Sequence, residues 1–156
     1  MEFGFTSKEF RMTRALFPGS FDPFTLGHKD IVERALAIAD EVVVAIGVNA
    51  DKKGLFTVQE RKQRIEQAFK DEPRVRVVSY SGLTTDFAQA ACAQFIVRGV
   101  RSFTDFEYEK NIAQINRQLT GIETVLLFAD ERFAGLSSSI VRELISYGKD
   151  ISRFIP

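Results

Sequence analysis

The chain has 156 residues, 45% of them hydrophobic and 27% charged, with 21 basic and 21 acidic side chains. This length fits a single domain whose core needs neither disulfides nor a metal for stability. The balanced charge argues against bulk electrostatic binding to nucleic acid or to an anionic membrane, and the single cysteine excludes an internal disulfide framework.

Two segments can be distinguished along the chain. Residues 1–11 are aperiodic and precede a second methionine, Met12, so we interpret them as an N-terminal extension or a tag remnant. Residues 12–156 are predicted to form one domain. We find no apolar run of membrane-spanning length and no signal-peptide pattern, which predicts a cytoplasmic protein without a membrane partner.

From Met12 onward, short apolar runs alternate with helical patterns. Thr57 followed by Glu60 predicts a capping box at the start of the second helix. Five strands alternating with helices predict an α/β fold, a doubly wound five-stranded parallel sheet, whose ligand lies beyond the carboxyl ends of the strands. The predicted strands are 14–17, 41–48, 75–79, 94–98 and 124–128, and the predicted helices are 27–39, 57–69, 83–91, 105–119 and 138–146.

The first strand-to-helix turn, residues 18–28, reads Pro-Gly-Ser-Phe-Asp-Pro-Phe-Thr-Leu-Gly-His and contains the only histidine. Such a turn directs backbone N–H groups and a positive helix end to one point, which suits a phosphate. No carboxylate adjacent in sequence would activate His28 as a nucleophile, and one histidine with one cysteine argues against zinc. A hydrogen-bond donor to a developing charge fits His28 better.

Polar clusters follow the predicted strands, where the ligand edge of the sheet should be. Lys52 and Lys53 follow the second strand as a cationic arm or simply as a solvated pair. Arg98-Gly99-Val100-Arg101 ends the fourth strand. Its two arginines offer forked guanidinium donors to an anion, and its glycine allows the backbone to approach a ligand closely. The serines at 137–139 either cap the last core helix or hold phosphate. Together these groups predict a polyanion site of the kind that binds a nucleotide.

Pro-Gly-Ser-Phe-Asp-Pro at 18–23 and Thr-Leu-Gly-His at 25–28 resemble the signature of the Thr/His-x-Gly-His nucleotidyltransferases. Other segments are similar, in order and spacing, to the bacterial phosphopantetheine adenylyltransferases, and the resemblance covers about residues 13–156. Those segments are Lys52-Lys53 with Phe56-Thr57, residues 96–101, residues 105–109, Asn116-Arg117 and residues 137–139.

This resemblance implies a Rossmann-like nucleotidyltransferase fold and a reaction. The adenylyl group of ATP is transferred to 4′-phosphopantetheine, giving 3′-dephospho-coenzyme A and pyrophosphate, the penultimate step of coenzyme A biosynthesis. The acceptor phosphate is already a nucleophile, so the reaction is a direct in-line displacement. The resemblance also implies Mg²⁺ as cofactor, with unidentified ligands, and a cytoplasmic homohexamer.

The resemblance further implies roles for individual residues. His28, Lys52 and Arg101 are the catalytic residues, and His28 stabilises charge near the α-phosphate. Phosphopantetheine is bound by Ser20, Lys52, Thr84 and Arg98. Ser20 keeps the hydroxyl of the threonine common at its position, whereas Thr84 stands where a larger apolar residue is usual. The residues implied for ATP are Ser20, Phe21, His28, Gly99, Val100, Arg101, Glu109, Phe133, Ala134, Gly135, Leu136, Ser137, Ser138 and Ser139.

Two other functions stay open at this point. A related transferase would use another acceptor, such as a cytidylyl- or nicotinamide-mononucleotide-type enzyme, although the segment Asp-Phe-Glu-Tyr-Glu at 105–109 is not expected there. A non-catalytic nucleotide-binding module would keep its affinity for ATP without His28. For Glu109, a role that merely complements the helix dipole is a strong alternative. Cys92 is predicted to be buried packing in an alanine-rich helix.

Overall fold

Five parallel strands form the centre of the computed structural model, which describes residues 12–156. The expected extension 1–11 lies outside the described residues. The strands are β1 (Arg14–Gly19), β2 (Glu41–Gly47), β3 (Val75–Tyr80), β4 (Phe95–Val100) and β5 (Glu123–Phe128). The helices are α1 (Leu26–Ala35), α2 (Val58–Ala68), α3 (Thr84–Ala90), α4 (Phe103–Thr120) and α5 (Ser138–Ser146), with a 3₁₀ turn at Glu131–Phe133.

The strand order is β3-β2-β1-β4-β5. The chain therefore moves outward in one direction from β1 to β3, and then returns to the other side of β1 for β4 and β5. This reversal makes the sheet doubly wound, as predicted, and puts the topological switch point between β1 and β4. A ligand is expected in the crevice beyond the carboxyl ends of these two strands.

Alternate residues of the strands pack on opposite faces of the sheet, as the period of a strand requires. On one face, Phe17 and Val44 belong to a core shared with Val32 of α1 and Ile65 of α2. On the other face, Leu16 and its neighbours pack against Ala88 of α3. Both faces of β2 are therefore buried, which explains its continuous run of β-branched residues.

Several element boundaries differ from the prediction. Helix α1 ends at Ala35, and α4 begins at Phe103 because the side chain of Ser102 accepts a hydrogen bond from the Asp105 backbone. Strand β4 continues to Val100, two residues beyond the predicted end at Arg98, so Gly99 also lies within the strand. The predicted capping box of α2 is confirmed: Thr57 accepts from the backbone of Glu60, whose carboxylate accepts from the Thr57 N–H at 2.7 Å.

The prediction that Cys92 is buried was wrong, because Cys92 is exposed. It follows α3 with φ 54°, in the left-handed region. Its N–H donates to Gln89, and the next N–H, of Ala93, donates to Ala88. These two bonds form a Schellman motif, so Cys92 occupies the position that ends the helix.

Within residues 12–156, none of the helices combines the length and the apolar character that crossing a bilayer requires.

Candidate active site

A crevice opens at the switch point because β1 and β4 separate. Strand β1 pairs with β2 over its whole length, but it pairs with β4 only at Ala15 and Leu16. Beyond those residues the two strands diverge and leave a cavity of about 370 Å³. The N-terminal ends of α1 and α5 both line this cavity, so two positive helix ends face it.

His28 is the third residue of α1 and lines this first cavity. Its Nδ1 accepts a hydrogen bond from the backbone N–H of Thr25 at 3.0 Å. A backbone N–H can only donate, so the proton of the neutral ring is on Nε2. His28 is thus a neutral donor whose free N–H is on the side away from the turn.

Three phenylalanines surround the imidazole of His28. The ring centroids of Phe21, Phe24 and Phe17 lie 5.1, 5.4 and 6.3 Å from it. The pKa of His28 is lowered from 6.5 to about 3, first by burial of the ring and then by the charges of Arg98 and Arg101. The ring therefore stays neutral at physiological pH.

Arg98 spans the gap between the two separating strands. Its guanidinium donates from Nη1 to the carbonyl of Pro18 in β1. The guanidinium also donates two hydrogen bonds to the Glu109 carboxylate of α4, from Nη2 to Oε1 at 2.7 Å and from Nε to Oε2 at 3.0 Å. Glu109 is 7% exposed and is the buried charge of α4. Since α4 begins at Phe103, Glu109 lies beyond the first turn, and its carboxylate bonds to Arg98.

Arg101 closes the cavity on the side of α5. Its Nη1 donates to the carbonyl of Leu136 at 2.9 Å, and its Nε donates to Asp105 at 3.2 Å. Arg101 therefore connects the end of β4 with the loop before α5. The exposed guanidinium keeps further N–H groups for an anion.

The three serines at the start of α5 are held in different ways. Ser137 caps the helix by accepting from Ile140, and Ser138 donates to the carbonyl of Pro23 at 2.8 Å. Ser139 accepts from Arg142, which also donates to the backbone carbonyl of Asp22. The interpretation of Ser137 as a helix cap is confirmed, and an anion site at these serines stays a prediction. The Ser138 hydroxyl and the Arg142 guanidinium attach α5 to the first turn, and the N-terminal end of the helix lines the cavity.

A second cavity of about 460 Å³ adjoins the first and shares Pro18, Gly19, Ser20, Arg98 and Glu109 with it. Its other walls come from β3, α3 and α4 and are largely apolar. Thr84 lines it and bonds to the hydroxyl of Tyr80 at 2.7 Å. The residues of its apolar wall include Leu83, Ile96, Tyr108, Ile112, Ala113, Ile115 and Leu119.

Most of the residues implied for binding lie together in these cavities, and some do not. Val100 is buried in β4, while Ala134 and Gly135 are exposed outside the cavity lining. Lys52 is exposed in the loop after β2 and lines neither cavity. Lining the first cavity are Ser20, Phe21, His28, Arg98, Gly99, Arg101, Glu109, Phe133, Leu136, Ser137, Ser138 and Ser139. Ser20, Thr84 and Arg98 line the second.

Three charged residues of the first cavity were given no site role from the sequence: Asp105, Asp130 and Arg142. Arg142 follows Ser139 by one helical turn, so helical spacing alone would have placed it on the same face. Asp130 carries an ion pair with Arg132, which holds the pKa of its carboxyl at about 2.

Over the described residues 12–156, no group of three or more histidine, cysteine, aspartate or glutamate side chains is close enough to hold a metal ion. The three carboxylates that line the first cavity are each paired with an arginine. Glu109 pairs with Arg98, Asp105 with Arg101 and Asp130 with Arg132. The protein groups alone do not fit a resident metal.

A cytidylyltransferase-like family model matches residues 16–144. The phosphopantetheine adenylyltransferase of Bacteroides thetaiotaomicron is 55% identical over 145 residues, 93% of this chain and 96% of that protein. The protein of the same name from Phocaeicola vulgatus is 56% identical over 93% of this chain and 96% of its own.

A solved structure shows the same fold at much lower identity. A bifunctional NMN adenylyltransferase/ADP ribose pyrophosphatase from Francisella tularensis matches with a TM-score of 0.67 at 16% identity. The match covers 90% of this chain and 44% of that one.

Proposed function

The chain belongs to the phosphopantetheine adenylyltransferases, within the cytidylyltransferase-like family, and on this premise we propose its reaction. It transfers the adenylyl group of ATP to 4′-phosphopantetheine and releases 3′-dephospho-coenzyme A and pyrophosphate. One observation carries this proposal: a cavity rich in phosphate-binding donors and a cavity with apolar walls share Ser20 and Arg98. Two substrates bound in them would have their phosphates adjacent.

The proposed step is a direct displacement. An oxygen of the acceptor phosphate forms a bond to the α-phosphorus of ATP. The bond from that phosphorus to the bridging oxygen breaks, and its electron pair leaves with pyrophosphate. Because the acceptor phosphate is ionised at neutral pH, the protein supplies positioning and charge stabilisation and needs no general base.

The first cavity is proposed to bind ATP. The Nε2–H of His28 donates to a non-bridging oxygen of the α-phosphate, where negative charge develops. The N-terminal end of α5 and the guanidinium of Arg101 bind the phosphates that leave as pyrophosphate. The lowered pKa of His28 suits this role, because Nδ1 stays unprotonated and continues to accept the Thr25 N–H that orients the ring.

The second cavity is proposed to bind 4′-phosphopantetheine. Arg98 binds its phosphate, and Lys52 reaches it from the loop after β2, which requires the exposed lysine side chain to turn inward. The apolar wall of α4 suits the pantetheine arm, and Thr84 offers a hydroxyl to one of its amides. Glu109 aligns Arg98 between the two substrates.

Mg²⁺ is proposed as a companion of the ATP phosphates. Mg²⁺ commonly binds to substrate phosphates and one or two carboxylates, keeping several waters. With every carboxylate of the first cavity paired to an arginine, the phosphates would supply most of its ligands.

A cytoplasmic homohexamer is proposed for the assembled protein. The free thiol of Cys92 fits a reducing compartment. Large apolar side chains are exposed on the described chain, among them Phe103 at 77%, Phe128 at 73% and Tyr147 at 74%. Contacts between subunits would cover such side chains. Light scattering of the purified protein measures the number of subunits.

The experiment that tests the reaction is pyrophosphate release from ATP with 4′-phosphopantetheine, with nicotinamide mononucleotide, and with no acceptor. We expect pyrophosphate to be released only in the mixture of ATP with 4′-phosphopantetheine. Release only with nicotinamide mononucleotide would favour the related transferase, whose fold is shared by the Francisella tularensis enzyme. ATP binding without release in any mixture, unchanged by His28→Ala, would instead favour a non-catalytic nucleotide-binding module.

A further inference from the structure

The loop that carries Lys52, residues 48–54, is called the lysine loop here. At its start, the Val48 N–H donates to the carbonyl of Tyr80 in β3 at 2.8 Å. At its tip, the Lys52 and Asp51 backbones donate to Asn49 at 3.2 and 3.0 Å. These tip contacts are local, so they shape a turn without fixing where the turn lies relative to the cavities.

The far end of the lysine loop is fixed by a buried carboxylate of the first turn. Asp22 is 6% exposed. Its Oδ2 accepts from the Leu55 N–H at 2.7 Å, and its Oδ1 accepts from the Phe56 N–H at 2.9 Å. Both oxygens are thus used on the two residues that follow the loop. Charge-assisted bonds to backbone N–H groups of this length are among the stronger hydrogen bonds in proteins.

Arg61 of α2 completes the same attachment. It is 8% exposed, and its Nε donates to the carbonyl of Phe56 at 3.0 Å while its Nη1 donates to the carbonyl of Ser20 at 2.9 Å. Gly54 lies between Arg61 and Asp22. A Cβ at position 54 would be 3.0 Å from both Arg61 Nη2 and Asp22 Oδ2, so only glycine fits without displacement.

We propose that Asp22, Gly54 and Arg61, the clasp, form the fixed hinge of the lysine loop, and that Asp22 and Arg61 are positioning residues that act through Lys52. The clasp ties the base of the loop to the turn that carries Ser20. The clasp therefore limits the positions from which Lys52 can reach Ser20 and Arg98. That the group reached is the phosphate of 4′-phosphopantetheine rests on the proposed function.

The hinge itself can be tested without substrate, by trypsin cleavage after Lys52 and Lys53. In Asp22→Asn we expect trypsin to cleave there about tenfold faster. Loss of a charge-assisted hydrogen bond should raise the fraction of molecules with the loop detached by about this factor, and the cleavage rate follows that fraction. The matched control is Glu60→Gln. It removes another carboxylate that accepts a backbone N–H in the same stretch, that of Thr57 at 2.7 Å, without touching the clasp.

Cleavage that is unchanged in Asp22→Asn, or accelerated equally by Glu60→Gln, would overturn the hinge. Gly54→Ala is the second variant, because it crowds the clasp while keeping Asp22. It should also accelerate cleavage, and it decides the question if Asp22→Asn does not fold.

The action through Lys52 is tested by kinetics. We expect Asp22→Asn to raise the KM for 4′-phosphopantetheine about tenfold, with a much smaller effect on the KM for ATP. In a Lys52→Ala background, Asp22→Asn should add less than about twofold, because the group that it positions is absent. Equal effects in both backgrounds would overturn the positioning role. If the wild-type protein releases no pyrophosphate with this acceptor, the proposed function fails, while the cleavage result still decides the hinge.

Discussion

His28 and Thr25 hold each other at the start of α1. The Thr25 hydroxyl accepts from the His28 N–H at 3.3 Å, and His28 Nδ1 accepts from the Thr25 N–H at 3.0 Å. This is a capping box with histidine in the place usually taken by glutamate or glutamine. One helix-capping interaction therefore selects the ring tautomer that carries its proton on Nε2.

We expect His28→Ala to lower kcat roughly 10²–10³-fold, because one preorganised donor to the developing charge is lost. Pyrophosphate release at saturating ATP and 4′-phosphopantetheine measures this. His28→Gln is the informative companion, since glutamine can keep the capping box at the same position. A loss of kcat in His28→Gln as well would assign the effect to the imidazole and not to the capping box, and a full kcat in His28→Ala would contradict the donor role.

The pH dependence of stability follows from the lowered pKa of His28. In the unfolded chain the ring takes up a proton near pH 6.5, whereas in the folded protein it does so only near pH 3. Between these values the unfolded state binds more protons. The contribution of His28 to stability is therefore complete above pH 6.5 and is lost as the pH falls toward 3. Urea unfolding at pH 7 and pH 4.5 should show a smaller loss in His28→Gln than in the wild type, and equal losses would contradict the buried neutral ring.

We expect Glu109→Gln to lower the free energy of unfolding by about 1.5–3 kcal/mol, the range for hydrogen bonds to charged groups. Urea denaturation measures it, with the exposed neighbour Glu107→Gln as control. Because Arg98 lines both cavities, kcat/KM should fall for ATP and for the acceptor together. A loss confined to ATP would instead support a direct contact between Glu109 and the nucleotide.

Cys92→Gly should stabilise the protein by about 0.5–1 kcal/mol, because glycine adopts the φ of 54° without the strain of a Cβ. The paired variant Ala91→Gly, one residue earlier at φ −78°, should destabilise by a similar amount. The midpoints of urea unfolding compare the two. Stabilisation by both, or by neither, would argue against the Schellman end of α3.

Local signals predicted some of the element ends and missed others. The capping box of α2 is a contact between residues three apart, and the sequence pattern was sufficient to identify it. The end of α3 was missed because no glycine marks it, and Cys92 takes the left-handed conformation that glycine usually provides. Helix α4 starts two residues before the predicted residue 105, because Ser102 caps it.

Contacts between distant residues could not be predicted in the same way. Asp22 reaches Leu55 and Phe56, and Arg98 reaches Pro18, only because the sheet brings these segments together. Glu109 looked like one acidic residue among several near a helix start. Its burial against Arg98 depends on the packing of α4 beside β4, which no spacing within the helix encodes.

The sequence by itself determined the α/β class, the phosphate-binding turn with His28, and the resemblance to nucleotidyltransferases, because periodicity and motif spacing are local properties of the chain. The tertiary structure decided the strand order, the crevice between β1 and β4, the tautomer and neutral state of His28, and the clasp behind the lysine loop. These depend on burial and on partners far apart in sequence, and such partners meet only when the sheet has formed.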